Sequence, residues 1–110
     1  MQAETPKHFV EEVLPSKFKP DRAIGIDVIA QLNLTGQNGG NWVVTIKDQT
    51  LKVAQGVHPS PTLTIKLSDN DFMDLVNSKL SATKAFFTGK LQLSGDLKLV
   101  LKLREAGFLN

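Results

Sequence analysis

The chain has 110 residues, 13 lysines and arginines against 11 acids, a formal net charge of +2, and no cysteine. That length can bury a core without disulfides or a metal, and the lack of cysteine excludes disulfide scaffolds, thiol catalysis and cysteine zinc sites. Acids and bases are interspersed, tyrosine is absent, and no basic stripe carries stacking aromatics, so no nucleic-acid partner is expected. The longest apolar runs are a few residues, far short of a membrane span. The first six residues lack the basic patch and apolar stretch of a signal peptide. One cytoplasmic domain covering residues 1–110 is therefore expected.

Thr5 and Pro6 suit the N-cap and first position of a helix. Phe9, Val10, Val13 and Leu14 give it one apolar face, and Pro15 is expected to stop it. After a connector at residues 20–23, the period changes to two. Val28, Ala30, Leu32 and Leu34 alternate with Ile29, Gln31, Asn33 and Thr35, the pattern of a half-buried strand. A turn rich in glycine and asparagine, residues 36–40, leads to a second strand, where Trp42, Val44 and Ile46 alternate with Val43, Thr45 and Lys47. Residues 51–54 make a third strand and Leu63, Ile65 and Leu67 mark a fourth. The short connections predict an antiparallel meander.

The second half is mainly helical. Ser68 can cap a helix in which Phe72, Leu75, Val76 and Leu80 recur at helical spacing. Ser81 can cap a shorter one containing Ala85, Phe86 and Phe87, which Gly89 ends. Leu91 and Leu93 fall in a short strand, residues 90–94. In residues 97–103 leucines alternate as in a strand, but Val100 breaks the alternation, and Lys98, Lys102 and Glu105 form one helical stripe. Asp96 can cap this segment and Gly107 suits its end, which favours a helix. Its Lys98, Lys102 and Glu105 would face water, and Leu99, Val100 and Leu103 the interior. Because it is apolar on most of its circumference, water is not expected to be its main neighbour.

Catalysis has little support. His8 and His58 have no nucleophile partner in the local sequence, and no nucleophile-elbow, zinc-protease or phosphate-loop motif occurs. Asp69, Asp71 and Asp74 fail as a calcium loop, since Met73 stands where a third oxygen ligand belongs and Leu80 where the distal glutamate belongs. Acids at a helix start complement its dipole instead. No enzyme activity, cofactor or metal is expected. Ser78-Lys79-Leu80 spells a peroxisomal address but is internal, where that signal is not read. Lys79, Lys84, Lys90, Lys98 and Lys102 are compatible with transient contact at an anionic membrane surface, although charges of this kind usually form a solvated face. The crowd of apolar residues between Phe72 and Leu103 reads by itself as core against the sheet rather than as the wall of a ligand cavity.

Four stretches resemble the sterol carrier protein 2 family, in the same order. Gly39-Gly40-Asn41-Trp42 is similar to the start of its second strand. Thr62 to Phe72, sequence TLTIKLSDNDF, is similar to its strand-to-helix passage. Lys79 to Leu91, sequence KLSATKAFFTGKL, carries its Ala-Phe-Phe and Gly-Lys pattern. Ser94-Gly95-Asp96-Leu97 is similar to the approach to its last helix. The resemblance implies a curved, mainly antiparallel five-stranded sheet covered by helices, an α+β fold, with an apolar cavity between sheet and helices. It implies non-catalytic binding and transfer of a long-chain lipid: fatty acid, fatty acyl-CoA, phospholipid or a sterol-like molecule. The expected cavity residues are Phe72, Leu75, Val76, Leu80, Phe86, Phe87, Leu91, Leu93, Leu99, Val100, Leu103 and Phe108. Phe86 and Phe87 point about 100° apart on a helix, so one is expected against the sheet and the other toward the ligand. A free-standing chain, monomeric or weakly dimeric, is expected. The alternative role is an accessory protein presenting lipid intermediates to enzymes, as in isoprenoid-quinone biosynthesis. A cavity pairing His58 with a carboxylate would instead favour an enzyme.

Overall fold

Five strands form one sheet in the order β3-β2-β1-β4-β5: β1 is Val28–Thr35, β2 Gly40–Lys47, β3 Thr50–Gln55, β4 Leu63–Ser68 and β5 Gln92–Gly95. The computed structural model describes residues 5–105. β1, β2 and β3 are antiparallel neighbours, with Ala30 opposite Val44 and Val44 opposite Val53. The β2–β3 hairpin closes through Asp48 (φ 51°) and Gln49 (φ 60°), both left-handed, as a two-residue turn matched to strand twist requires.

The meander does not extend to β4. This strand pairs in parallel with β1, placing Leu63 opposite Ala30, Ile65 opposite Leu32 and Leu67 opposite Leu34. β5 then pairs antiparallel with β4. The seven residues between Gln55 and Leu63 reach at most about 23 Å when extended. Three strand spacings need only about 14 Å, so a short connection suffices for a crossover that its length alone makes look like a hairpin.

Gln31 holds that crossover. The alternation of β1 assigns it to the solvent face, yet it is 2% exposed because the crossing segment lies over it. Its Nε2 donates to the carbonyls of Gly56 (3.0 Å) and Trp42 (3.3 Å) and to Asn33 Oδ1 (3.0 Å), while Oε1 accepts from the His58 amide at 2.7 Å. Gln31→Ala leaves the His58 N–H and the Gly56 carbonyl without these partners. Urea unfolding should show a loss of about 1–3 kcal/mol, the range for stranded buried polar groups. A loss below roughly 0.5 kcal/mol, the usual size for an unimportant surface site, would mean the crossover is held by other contacts.

The N-terminal helix, α1, covers residues 6–17. It begins as an α-turn, Pro6–His8, widens to π geometry over Phe9–Val13, and returns to α over Leu14–Lys17. Thr5 caps it, its Oγ1 accepting from the His8 amide at 3.1 Å. Pro15 does not stop it. The Leu14 amide bonds back to Phe9, five residues earlier, and this wide turn leads into Pro15, which could not donate a regular bond of its own. The helix ends where Phe18 becomes extended.

The other helices start as their capping residues indicate. α2 is Asp69–Val76, with Ser68 Oγ accepting from the Asp71 amide at 3.1 Å. α3 is Ala82–Phe87, with Ser81 Oγ accepting from Lys84 at 3.0 Å. α4 is Lys98–Glu105, with Asp96 Oδ1 accepting from Lys98 at 3.1 Å. Leu80 lies outside α2. The chain turns at Ser78 (φ 62°), and the amides of Lys79 and Leu80 both bond to the Asp74 carbonyl. Among the described residues no helix is long and apolar enough to cross a membrane.

Candidate functional site

Apart from Gly40, Gly95 and Gln55, at strand ends, the inward positions of all five strands carry apolar side chains, and none carries a charge. Helices cover this face in two separate groups. At one end, Val10 of α1, Phe72 of α2 and Ala85 of α3 pack with Leu32, Leu34, Trp42 and Leu67 of the sheet. At the other, Leu99 and Leu103 of α4, with Ala23 and Ile26, pack on Val28, Ala30, Ile46 and Leu63.

Val44 and Ile65 touch both groups, and both are only half-buried. Each belongs to a strand with a neighbour on either side, where a continuous helical layer would bury an inward side chain completely. At this apolar seam between the two groups the helices thus cover Val44 and Ile65 less completely than the inward side chains beside them. Its floor runs from Val53 of β3 to Val44, past Ala30 and Leu32, to Ile65 and Leu93 of β5. Val53 and Leu93 are also half-buried. Ala30, the smallest inward side chain of β1, lies at the centre and, like Leu32, is buried. Such a floor can hold hydrocarbon and offers nothing to bind a charged group, which would remain at an end of the seam.

At the α1 end, Glu11 joins helix and sheet. Its Oε2 accepts from Trp42 Nε1 at 2.9 Å and from Gln55 Nε2 at 2.8 Å. The Gln55 bond, then the Trp42 bond, and to a smaller extent the charge of Lys7, hold the carboxyl below the usual glutamate range against the opposing effect of burial. A depressed acid contributes stability that is present above its unfolded pKa and lost as pH falls through the folded value. The stability advantage of the native chain over Glu11→Gln should therefore shrink as pH drops below the usual glutamate pKa of about 4.3. Urea unfolding followed by the emission of Trp42, the only tryptophan, measures this. An advantage independent of pH would show that the Glu11 charge is irrelevant to the junction.

The expected cavity residues divide. Phe72 and Leu91 are buried at the α1 end, with Leu75, Val76, Leu80 and Leu93 half-buried beside them. Leu99 and Leu103 are buried and Val100 half-buried at the α4 end. Phe108 lies outside the described residues. Phe86 and Phe87 do not divide between sheet and interior. They are 45% and 80% exposed, because Ala85, at 0%, takes the sheet-facing position of α3. The water-facing stripe of α4 is also less polar than expected: Lys98 and Lys102 are exposed, but so is Leu101, at 61%. The seam's own residues, Val44, Val53 and Ile65, are visible in the sequence as inward strand positions. Nothing in the sequence distinguishes them from ordinary core.

The polar candidates serve the fold. His58 Nδ1 accepts from the Ser60 amide at 2.9 Å, in the crossover on the far side of the sheet from the seam. His8 Nε2 stands 3.8 Å from Glu12. Asp69 accepts from the amides of Asn38 (2.9 Å) and Asn70 (2.8 Å), tying the 36–39 turn to the start of α2. Among the described residues, no group of three histidines or acids could hold a metal ion. Two recesses at the start of α1, rimmed by Thr5 and Lys7, are open to the surface and partly polar, and neither is a closed apolar chamber.

Residues 10–106 match the SCP-2 sterol transfer family. Over 79 residues the chain is 34% identical to hydroxysteroid dehydrogenase-like protein 2 of Mus musculus; the match covers 70% of this chain and 16% of the mouse protein. The chain thus spans about a sixth of that relative. The solution structure of palmitated sterol carrier protein 2-like 2 from Aedes aegypti superposes with a TM-score of 0.75 at 30% identity, covering 93% of each chain. The sec-alkylsulfatase Pisa1 from Pseudomonas sp. contains the same fold, with a TM-score of 0.80 at 24% identity over 98% of this chain and 17% of that one.

Proposed function

We propose that this chain, which belongs to the SCP-2 sterol transfer family, is a non-catalytic carrier that holds one long-chain lipid in the seam between its two helical groups. The observation that carries the proposal is the incomplete burial of Val44 and Ile65 in the middle of an otherwise apolar face. From β3 to β5 the seam crosses four strand spacings, about 19 Å, a span suited to an extended acyl chain. The palmitate on the mosquito relative supports a fatty acyl ligand as the first to test. Each buried methylene contributes about 0.8 kcal/mol, so a dozen contribute roughly 10 kcal/mol before association costs. Micromolar affinity then requires no specific polar contact. This accounts for a functional site without a sharp sequence motif.

The whole activity of the mouse relative is not carried over, because the shared stretch is a small part of that protein. Native mass spectrometry of the purified chain, followed by lipid extraction, tests the proposal. The expected result is one long-chain lipid per chain, or saturable uptake of one added palmitate by the empty protein. Failure of the empty protein to take up any fatty acid, acyl-CoA or phospholipid at tens of micromolar, the order the area argument gives, would refute carriage.

A further inference from the structure

We infer that the tip of α3 is a docking surface for an anionic lipid bilayer, with Phe86 and Phe87 entering the interface and Lys79, Lys84 and Lys90 meeting the headgroups. The two rings are 45% and 80% exposed and contact each other edge to face, with centroids 5.7 Å apart. Their base is fixed. Ala85 is fully buried, Leu91 is buried, and the Leu91 amide bonds back to the Ala85 carbonyl. Thr88 Oγ1 donates to the Lys84 carbonyl at 2.8 Å, and the chain reverses at Gly89 (φ 81°). The rings are thus held outward on a rigid turn.

Along the chain, the charge flanking them has one sign. Between Asp74 and Asp96 there is no acid, and Lys79, Lys84 and Lys90 are all exposed. The other long acid-free stretches, residues 28–47 and 49–68, carry only Lys47 in the first and Lys52 and Lys66 in the second. Aromatic rings settle at headgroup depth, and lysines beside them are drawn to an anionic leaflet. The patch offers apolar rings and mobile cations rather than a shaped, hydrogen-bonding surface, which suits a fluid interface. The outer face of α4 and the residue before it, with Leu97 (51% exposed) and Leu101 (61%) beside Lys98 and Lys102, form the rival surface. The inference rests on the carrier reading for its biological purpose, but docking is measured separately from cargo binding.

The test is co-sedimentation of the full chain with phosphatidylcholine vesicles, with and without phosphatidylserine. The native chain should sediment with the anionic vesicles and be released by salt. Phe86→Ala/Phe87→Ala should lower partitioning by about tenfold or more, and Lys79→Gln/Lys84→Gln/Lys90→Gln should remove the preference for phosphatidylserine. Both variants should still bind fluorescent fatty acid, so that loss of docking and loss of cargo remain distinct. Because the chain has no cysteine, Phe87→Cys carrying an environment-sensitive dye gives a second reading. Its emission should shift to the blue on anionic vesicles, whereas the same dye on Lys52→Cys, at the β3 edge, should not change. The inference is overturned if anionic vesicles do not retain the native chain, if only Leu97→Ala/Leu101→Ala reduces retention, or if the dye at position 87 stays in water. It is equally overturned if sedimentation velocity shows that the rings instead join two copies of the chain.

Discussion

Ile65→Trp and Val44→Trp, made singly, are each expected to weaken binding of a fluorescent long-chain fatty acid by about fifty-fold while the chain stays folded. Both side chains point into the seam and are half-buried there. An indole would occupy space that the ligand otherwise fills. Excluding three methylenes costs the complex about 2.4 kcal/mol, close to fifty-fold in affinity. In a closed core the same enlargement would cost stability, typically 1–3 kcal/mol, and leave binding elsewhere unaffected. Displacement titration and thermal unfolding, run together, separate these outcomes. Lower stability with unchanged affinity would mean that Val44 and Ile65 are ordinary core.

Leu103→Asp should be the most damaging substitution in the second half, and Leu101→Asp should be nearly silent. Leu103 is 6% exposed and packs with Leu99 on Val28, Ala30 and Leu63, while Leu101, two positions away, is 61% exposed. Burying an unpaired carboxylate in that cluster adds a desolvation cost to the lost leucine contacts. A total of about 3 kcal/mol or more lowers the thermal midpoint by roughly 12 °C or more in a domain of this size, and lipid binding should be lost with the docked helix. The exposed aspartate should change stability by no more than about 0.5 kcal/mol. Comparable losses in both variants would place α4 in a different rotation, with a different face on the sheet.

The sequence patterns differ in how far they reach. Period-two alternation identifies the inward face of every strand, and Ser68, Ser81 and Asp96 mark their helices because a capping side chain acts within three residues. The break at Val100, read with the lysine stripe, correctly makes the last segment a helix. Properties that depend on distant chain are not readable in this way. The parallel pairing of β4 with β1 comes from a crossover whose length also suits a hairpin. Gln31 looks solvent-facing until that crossover covers it. Phe86 and Phe87 look like core until Ala85 takes the inward position. The seam is the same kind of property. Val44 and Ile65 have the residue type and period of core, and only their lesser cover, between helices anchored at opposite ends of the sheet, distinguishes them. The family resemblance supplies the fold and the expectation of a lipid ligand, but not the place in this chain proposed to hold it.

That place is tested most directly by photo-crosslinking. A palmitate analogue with a diazirine near the middle of its chain is bound to the native protein, irradiated, and the labelled peptides are mapped by mass spectrometry. Label should concentrate on peptides from β2 and β4, at or beside Val44 and Ile65, and unlabelled palmitate should suppress it. Label confined to the recess at Thr5 and Lys7 or to the exposed Phe86–Phe87 tip, or label that excess palmitate does not displace, would contradict a lipid held across the middle of the sheet.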